Sequence, residues 1–438
     1  MRNTFMPPTP EPLAAQARTL ARQGDWAGAR AKLMQLVDEV IGVTATDLII
    51  NRDQYSLNSL NGRVTLSDAR QLFFKYHNEE GEDKTIEEYY NAELLRDTGY
   101  RVDVPLFACG EPGRQILFYT LRDNLRLADV CRDIEERQAW NEMSQVVEAQ
   151  RQYDHDGLAG VLRTLGPGDA DAVCREPIHQ LFHHRLVSAN NVPGFGGRVE
   201  RAYVGKTFVF PGTVVEWDQL KDLRWTINGV TYASSLGELF AESGQRLAPQ
   251  RLADHGVVTA HGDAHNANIW YEKVSGQAPR LVSFDPAFAG RQIPALLAEI
   301  KATFHNIFAH PVWLYEPTRV ASQFHVTASI KGEQLIVEHN WQLTPLRSTF
   351  LESKSRHYWQ PLLAALRDRH WLPTDWERVM RLALFCCPTL VLDLRADGGS
   401  GHTAHSSALG LALAMIAGSE PVEGEDIFSR FFSGLQPH

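Results

Sequence analysis

The stretch TAHGDAHNANIWY, residues 259–271, holds four side chains that can bind a metal ion or move a proton: His261, Asp263, His265 and Asn268. Apolar segments flank it on both sides, and the preceding HGVVTA has the pattern of a short buried strand. Ordinary strands and helices do not need this density of polar groups. The segment therefore either caps a turn or carries chemistry.

A β-hairpin is predicted directly after this polar segment. NIWYE and RLVSF are the two strands, KVSGQAPR holds the turn, and Asp285 follows the second strand. If the hairpin closes, Asn268 and Asp285 come to the same end of the sheet, beside Asp263. Carboxylate and amide oxygens are hard ligands that suit Mg²⁺. A Mg²⁺ held by Asn268 and Asp285, with Asp263 nearby as a base, matches the arrangement that kinases use for phosphoryl transfer.

Phosphoryl transfer of this kind also needs a lysine on a strand and a glutamate that orients it. QLFFKYH supplies Lys75 on a predicted strand, and NAELLR supplies Glu93 eighteen residues later on a predicted helix. The segment YSLNSLNGRVTL before Lys75 is predicted to be a strand, a loop and a second strand. Its backbone N–H groups could cover phosphates, with these loop residues as candidates: Asn58, Ser59, Asn61 and Gly62.

The two motifs HGDAHNAN and LVSFDPAFAG resemble those of the aminoglycoside phosphotransferase/choline kinase-like family, whose members are relatives of protein kinases. The family pattern is His-Gly-Asp, four further residues, Asn, and then an Asp at the end of the next hairpin. The resemblance implies that Asp263 is the catalytic base and that Asn268 and Asp285 are metal ligands. It also implies that His261 braces the loop.

The resemblance extends over about residues 50–305 and carries expectations for the nucleotide as well. It implies that Lys75 contacts the phosphates of ATP, or of another nucleoside triphosphate, and pairs with Glu93. Thr120 and Leu121, at the end of ILFYTL, are expected to lie against the nucleotide. The implied activity is ATP- and Mg²⁺-dependent transfer of a phosphoryl group to a hydroxyl of a small molecule. An amino sugar, an antibiotic, a nucleoside or a similar metabolite would fit as the acceptor.

The expected fold class is α+β: a bilobal protein-kinase-like fold with an antiparallel-sheet N-lobe and a helix-rich C-lobe. Residues 49–122 read as the N-lobe, because five short apolar runs surround one helical segment that starts near Asp83. Residues 1–48 are expected to be an N-terminal helical hairpin, predicted over 11–42 and packed against the next domain. Residues 123–438 are expected to form the C-lobe and to contain the catalytic motifs.

A β-rich insertion is predicted within the C-lobe at 187–235, where the composition becomes rich in Gly, Val and aromatic residues. Asn228-Gly229 between WTI and VTY is a strong signal for a two-residue hairpin turn. We expect this insertion to lie near the acceptor and to shape specificity. Helices are predicted at 125–165 and near 295–308, 347–369, 375–396 and 403–417.

Composition narrows the class of protein. A formal net charge of −10 argues against a general nucleic-acid or anionic-membrane binder, which would carry a basic surface. The five cysteines form no C-x-x-C pair and read as reduced thiols. MRNTFMPPTPEPLAAQ has no apolar segment typical of a signal peptide, so we expect a cytoplasmic protein. The sequence does not predict an oligomeric state.

Two other functions are compatible with the motif. On a strand, the alternating residues His261, Asp263 and His265 would face one side and could ligate Zn²⁺ or Mn²⁺ in a metal-dependent hydrolase. That hypothesis leaves Lys75 and Glu93 without a role. A non-catalytic kinase-like scaffold, with the N-terminal hairpin as its docking element, is the other alternative. The identity of the acceptor stays open in every case.

Overall fold

The computed structural model describes residues 12–51, 59–77, 85–111, 114–187, 195–309 and 311–436. The chain divides into two compact units, Met1–Arg96 with Val102–Asn124, and Asp97–Arg101 with Leu125–His438. It is a mixed protein, with mainly antiparallel sheets and many helices. The α+β class expected from the sequence is confirmed.

The first unit contains a helical pair and a five-stranded antiparallel sheet. Its elements are α1 (Leu13–Arg22), α2 (Trp26–Ile41), β1 (Ala45–Ile50), β2 (Ser59–Leu66), β3 (Gln71–His77), α3 (Thr85–Asp97), β4 (Phe107–Cys109) and β5 (Ile116–Thr120). The strand order is β1-β2-β3-β5-β4. This is the predicted succession of three strands, a helix and two strands. The predicted helix cap at Asp83 lies outside the described residues.

The helical pair and the sheet share one apolar core. Asp25 caps α2 by accepting a hydrogen bond from the Gly28 N–H at 2.9 Å, and Gly42 ends the helix at φ +73°. Buried residues of α1 and α2 form one cluster with those of β1, β2, β3 and β5. The domain boundary predicted after residue 48, between the helical hairpin and the N-lobe, stays a prediction. The apolar core is continuous across that position.

The strands of the second unit form several small sheets. They are β6 (Leu125–Arg126), β7 (Thr207–Phe210), β8 (Thr213–Glu216), β9 (Arg224–Ile227), β10 (Val230–Thr231), β11 (Val257–Ala260), β12 (Ile269–Glu272), β13 (Arg280–Ser283), β14 (Gly290–Pro294), β15 (Val326–Lys331) and β16 (Gln334–His339). β12 pairs with β13 and β6, and β11 pairs with β14. A four-stranded sheet has the order β10-β9-β16-β15, in which β9 and β16 are parallel.

Helices make up most of the rest of this unit. They are α4 (Leu127–Arg137), α5 (Met143–Thr164), α6 (Ala170–Arg175), α7 (His179–Phe182), α8 (Gly197–Ala202), α9 (Trp217–Leu220), α10 (Leu236–Arg246), α11 (Pro249–Leu252), α12 (Ile300–Thr303), α13 (Pro311–Tyr315), α14 (Val320–Gln323), α15 (Pro345–Lys354), α16 (Gln360–Asp368), α17 (Trp376–Val391), α18 (Ala404–Gly418) and α19 (Ile427–Leu435). Two π-helical segments, Phe304–Phe308 and Ser355–Trp359, extend α12 and join α15 to α16. Among the described helices, none combines the length and apolar character needed to cross a membrane.

The predicted insertion does contain strands, and its hairpin turn is confirmed. Asn228 and Gly229 have φ values of +48° and +81°, and Ile227 pairs with Val230 across them. The rings of Tyr203 and Trp217 pack on Phe240 of α10, with centroids 5.6 and 6.3 Å away. Phe240 in turn contacts Phe385 of α17 at 4.9 Å. The insertion is therefore part of the apolar core of this unit.

The sequence prediction missed several elements of the second unit. The predicted helix near 295–308 begins as α12 only at Ile300, because residues 295–299 form hydrogen-bonded turns after β14 ends at Pro294. The predicted helix at 375–396 ends at Val391. The hairpin of β15 and β16 was not predicted at all. This hairpin is local, since Lys331 pairs with Gln334 across a two-residue turn and burial alternates along both strands, so the sequence prediction overlooked it. Only the parallel pairing of β16 with β9 lies beyond local sequence patterns.

Candidate active site

The hairpin of β12 and β13 brings Asn268 and Asp285 to one end of a sheet, as predicted. Ile269 pairs with Ser283, and the Phe284 N–H donates to the Asn268 carbonyl oxygen at 2.9 Å. Asp285 is the next residue after this last hydrogen bond. The register of the hairpin, from Ile269 opposite Ser283 to Glu272 opposite Arg280, therefore fixes the two residues side by side.

His261 joins the start of the loop to the end of the same hairpin. Its Nδ1 lies 3.3 Å from the Asp263 backbone N–H, which can only donate, so Nδ1 is the unprotonated nitrogen. Its Nε2 then carries the proton and donates to the Phe284 carbonyl oxygen at 3.0 Å. The ring is 1% exposed. Both nitrogens are thus occupied by the backbone, which is the bracing role that the family resemblance implies.

Asp263 lies in the loop between β11 and β12 and is 7% exposed. The side-chain amide nitrogen of Asn268 donates to the Asp263 backbone carbonyl oxygen at 3.1 Å, so the Asn268 amide oxygen takes no part in this bond. The Asp263 carboxylate makes an ion pair through Oδ1 with Nζ of Lys301, at 2.7 Å. Lys301 comes from α12, outside the motif.

Two residues of the site have left-handed backbone conformations. Gly262 has φ +75°, and a Cβ there would lie 2.7 Å from Ile178 Cδ1 and 2.9 Å from the Phe288 carbonyl oxygen. Only glycine fits this position. Asp285 has φ +57°, a sparsely populated region for a non-glycine residue, and Pro286 follows it. Such backbone strain is concentrated at functional sites.

His265 shapes the loop and stays neutral. Its Nδ1 accepts from the Ala267 N–H at 3.3 Å and caps the short 3₁₀ turn Asn266–Asn268. Burial lowers the pKa of His265 to about 4, although the nearby Asp263 carboxylate raises it. The ring lies 5.5 Å from that of His305, whose pKa burial holds well below the usual range. The geometry therefore makes His265 a capping residue of the loop.

A second anchor holds the middle of the loop. The Asn266 N–H donates to Oδ1 of Asn306 at 2.7 Å, and the Asn306 carbonyl oxygen accepts from Nη1 of Arg347 at 2.6 Å. Arg347 also makes two hydrogen bonds of 2.8 Å to the Glu135 carboxylate, and both side chains are buried. A charged bidentate pair of this kind fixes direction as well as distance. The loop is therefore held from α4 and α15 as well as from the hairpin.

The structure places the predicted nucleotide residues in the first unit. Lys75 lies on β3, is 7% exposed, and pairs in the sheet with Asn61 and Leu117. Glu93 lies on α3 with one third of its side chain exposed, 3.6 Å from Nη2 of Arg96. The pairing of Lys75 with Glu93 stays a prediction.

The predicted phosphate loop is shifted relative to the structure. Ser59, Asn61 and Gly62 lie within β2 rather than in a loop, because β2 begins four residues earlier than the RVTL run suggested. The side-chain amide of Asn51 donates to Oδ1 of Asn61 at 2.9 Å, across the β1–β2 pair. Gly62 is required there, since a Cβ would lie 1.9 Å from the Ile49 carbonyl oxygen. Asn58 lies outside the described residues.

Thr120 and Leu121 lie where β5 ends. Thr120 is the last residue of that strand and is exposed, and Leu121 is partly buried. Their contact with a nucleotide remains a prediction.

The oxygen donors of Asn268 and Asp285 fit a hard divalent cation. Mg²⁺ takes one or two oxygen ligands from protein and completes its shell with water and phosphate. The Asn268 amide nitrogen is engaged by the loop, so its oxygen is the atom left for a cation. Within the described ranges, no cluster of three or more His, Cys, Asp and Glu side chains could hold a metal ion. A Mg²⁺ site of one Asn and one Asp has only two protein ligands, so it does not require such a cluster.

The geometry does not favour the metallohydrolase alternative. β11 ends at Ala260, so His261, Asp263 and His265 lie in a loop and do not share the face of a strand. The lone pair of His261 accepts from the Asp263 N–H, and that of His265 accepts from the Ala267 N–H. A neutral imidazole offers one lone pair, so neither ring can also bind a metal in this conformation.

Sequence reasoning missed the residues that support the loop from a distance. The sequence offers one indication for Lys301: it lies inside the largely apolar run ALLAEIKATF, where an unpaired charge would be costly. Asn306, Arg347 and Glu135 carry none, because they come from separate elements and follow no spacing.

No protein-family model and no curated protein sequence matches the chain. Solved structures of small-molecule kinases and phosphotransferases are similar to it, among them the following three. An amicoumacin kinase in complex with AMP-PNP and Ca²⁺ shares 15% identity over 85% of this chain and 87% of that one, with a TM-score of 0.42. A type I macrolide 2′-phosphotransferase shares 12% identity over 81% and 95% of the chains, with a TM-score of 0.33. A spectinomycin phosphotransferase in complex with ADP and spectinomycin shares 11% over 92% and 98%, with a TM-score of 0.33.

These three proteins belong to the aminoglycoside phosphotransferase and protein-kinase-like family that the two motifs resemble. At such identities and TM-scores, the function of the chain has to be argued from its own residues.

Proposed function

We propose that this protein is a small-molecule kinase that transfers a phosphoryl group from ATP, or another nucleoside triphosphate, to a hydroxyl group in the presence of Mg²⁺. One observation carries the proposal. The Phe284 N–H donates to the Asn268 carbonyl oxygen at 2.9 Å, and the Asn268 side-chain amide donates to the Asp263 carbonyl oxygen at 3.1 Å, so Asp263, Asn268 and the residue before Asp285 are tied together at one sheet end. We also propose that the two compact units correspond to the two lobes of a kinase-like fold.

Asp263 has the role of base. The acceptor hydroxyl gives its proton to Oδ2, because Oδ1 is held by Lys301. The hydroxyl oxygen forms a bond to the γ-phosphorus as the bond from that phosphorus to the bridging oxygen breaks, and the nucleoside diphosphate leaves. His261 and His265 keep the loop in place through the backbone and take no part in the proton transfer.

Asn268 and Asp285 would hold Mg²⁺, which when bound neutralises charge on the phosphates. Lys75 has the role of contacting those phosphates, with Glu93 orienting it. Thr120 and Leu121 have the role of contacting the nucleotide. This enzyme class works by positioning and charge neutralisation, so these residues need correct placement more than unusual reactivity.

The acceptor class is a hydroxylated small molecule. The experiment is a screen of amino sugars, nucleosides, polyols and antibiotics with Mg·ATP, read by the mass gain of one phosphoryl group. Transfer to any of them by the wild type and not by Asp263→Asn supports the proposal. A protein that Mg·ATP does not stabilise thermally, and that transfers nothing, is a non-catalytic scaffold instead.

A further inference from the structure

A lysine from outside the motif contacts the proposed base. Lys301 lies on α12 between the buried residues Ile300 and Ala302 and is itself only 7% exposed. Its Nζ is 2.7 Å from Oδ1 of Asp263 and 5.6 Å from the centre of the Phe288 ring. A lysine in such surroundings is costly unless it is paired, so this ion pair is what makes its burial tolerable.

Lys301, rather than a histidine, supplies the positive charge at Asp263. His265 Nε2 lies 3.7 Å from the same Oδ1, but burial keeps that ring neutral near pH 7. His305, adjacent to His265, is neutral for the same reason and bonds through Nδ1 to the Tyr315 hydroxyl at 3.0 Å. A full charge at 2.7 Å directs a carboxylate more strongly than a neutral ring at 3.7 Å.

We propose that Lys301 is a positioning residue that holds Asp263 by Oδ1 and so presents Oδ2 to the acceptor hydroxyl. The proposal rests on the proposed function. Rotation about the Asp263 side-chain terminal bond is soft and nearly two-fold, so the backbone alone does not decide which oxygen faces the acceptor. The ion pair with Lys301 does decide it. This dependence on α12 ties the base to an element that lies outside the motif in sequence.

The test is a double-mutant cycle in kcat with four proteins: wild type, Lys301→Met, Asp263→Asn and the double variant. ATP consumption with the acceptor found in the screen is the assay. If Lys301 acts through Asp263, Lys301→Met lowers kcat roughly 10–100-fold in the wild type but less than about 2-fold in the Asp263→Asn background. The KM for ATP changes little, and Lys301→Arg retains most of the rate because it keeps the charge.

Lys354 provides a matched control. It is also a buried lysine of this unit, 3% exposed, and its Nζ pairs with Asp154 at 2.6 Å and Glu299 at 2.9 Å. Lys354→Met therefore lowers stability without touching Asp263. Its effect on kcat is expected to be the same factor in both backgrounds, which is the signature of a purely structural lysine.

The outcomes separate clearly. Equal effects of Lys301→Met with and without Asp263 overturn the role of Lys301 and leave the proposed function intact. A wild type that neither binds nucleotide nor transfers a phosphoryl group overturns the proposed function, and the role of Lys301 with it. If Lys301→Met does not fold, two other proteins test the role of Lys301. The proposal is supported if Lys301→Arg is active and if the Lys301→Met/Asp263→Asn double variant is as fast as Asp263→Asn. A double variant far slower than Asp263→Asn overturns it.

Discussion

His261 Nε2 donates to the Phe284 carbonyl oxygen at 3.0 Å, and this bond ties the loop that carries Asp263 to the residue before Asp285. The two residues are 23 positions apart, yet the bond makes the proposed base and a proposed metal ligand parts of one rigid structure. Both ring nitrogens are engaged by the backbone in this arrangement.

His261→Ala is therefore expected to lower stability and rate together. It removes two hydrogen bonds inside a buried region, which costs roughly 1–3 kcal/mol of unfolding free energy. It also frees the segment before Asp285, so the Mg²⁺ concentration needed for half-maximal rate rises. Thermal unfolding and a Mg²⁺ titration measure both effects. His325→Ala, at an exposed histidine, is the control. A stable His261→Ala with normal Mg²⁺ dependence would contradict the bracing role.

Gly262→Ala tests how tightly the loop is packed. The new Cβ would meet Ile178 and the Phe288 carbonyl oxygen at less than 3 Å. Gly276→Ala is a matched control, because Gly276 has nearly the same φ, +76°, but nothing within 4 Å of a Cβ. Both substitutions carry the cost of a left-handed alanine, about 1–2 kcal/mol. Only Gly262→Ala should lose several degrees more in melting temperature and most of the activity. Equal losses would show that the loop adapts.

The sequence predicted the local part of the site well. His261, Asp263 and Asn268 lie in one loop, and Asp285 is one hairpin away, so alternation and turn signals were enough to bring them together. The five-strand sheet and the Asn228-Gly229 turn followed from the same local rules.

The remaining support of the site was beyond prediction from one sequence. Lys301, Asn306, Arg347 and Glu135 are brought to the loop by packing of α12, α15 and α4, which no spacing encodes. Ser59, Asn61 and Gly62 were assigned to a loop because polar residues suggest turns. The cross-strand contact between Asn51 and Asn61 satisfies these side chains within the sheet instead.

Lys75 and Glu93 are expected to act as one unit. A glutamate near a lysine favours the charged form and fixes its direction. Lys75→Ala and Glu93→Ala should therefore be strongly non-additive in kcat. Because Glu93 also lies 3.6 Å from Arg96, Arg96→Ala is the control and should leave kcat unchanged. Additive losses, or a loss in Arg96→Ala equal to that in Glu93→Ala, would mean that Glu93 serves the helix and not the lysine.

Acid is expected to destabilise the fold through buried histidines remote from the site. Burial lowers the pKa of His402 to about 4, although Asp393 raises it, and burial lowers that of His339 to about 4. Unfolded histidine titrates near 6.5, so between pH 6.5 and 4 the unfolded state binds more protons. The contribution of these histidines to the free energy of unfolding is therefore fully present above about pH 6.5. It falls as the pH drops toward 4, by up to about 3 kcal/mol for each histidine.

The melting temperature, measured from pH 7 to 4, checks this. In His402→Gln the melting temperature should fall less steeply as the pH drops, because the unfolded state of that variant takes up one proton fewer. His325→Gln, at an exposed position, is the control and should leave the decline as steep as in the wild type. A His402→Gln protein with an unchanged slope would contradict the assignment.

The most direct test of the central claim is a Mg²⁺ titration of nucleotide binding and kcat in Asp263→Asn and Asp285→Asn. Asp263→Asn should bind Mg·ATP nearly as the wild type does and lose about 10²–10⁴ in kcat, the range for a missing general base. Asp285→Asn should instead need more Mg²⁺, and added Mg²⁺ should restore part of its rate. If Asp263→Asn loses Mg²⁺ binding while Asp285→Asn keeps the Mg²⁺ requirement of the wild type, the roles of the two carboxylates are misassigned.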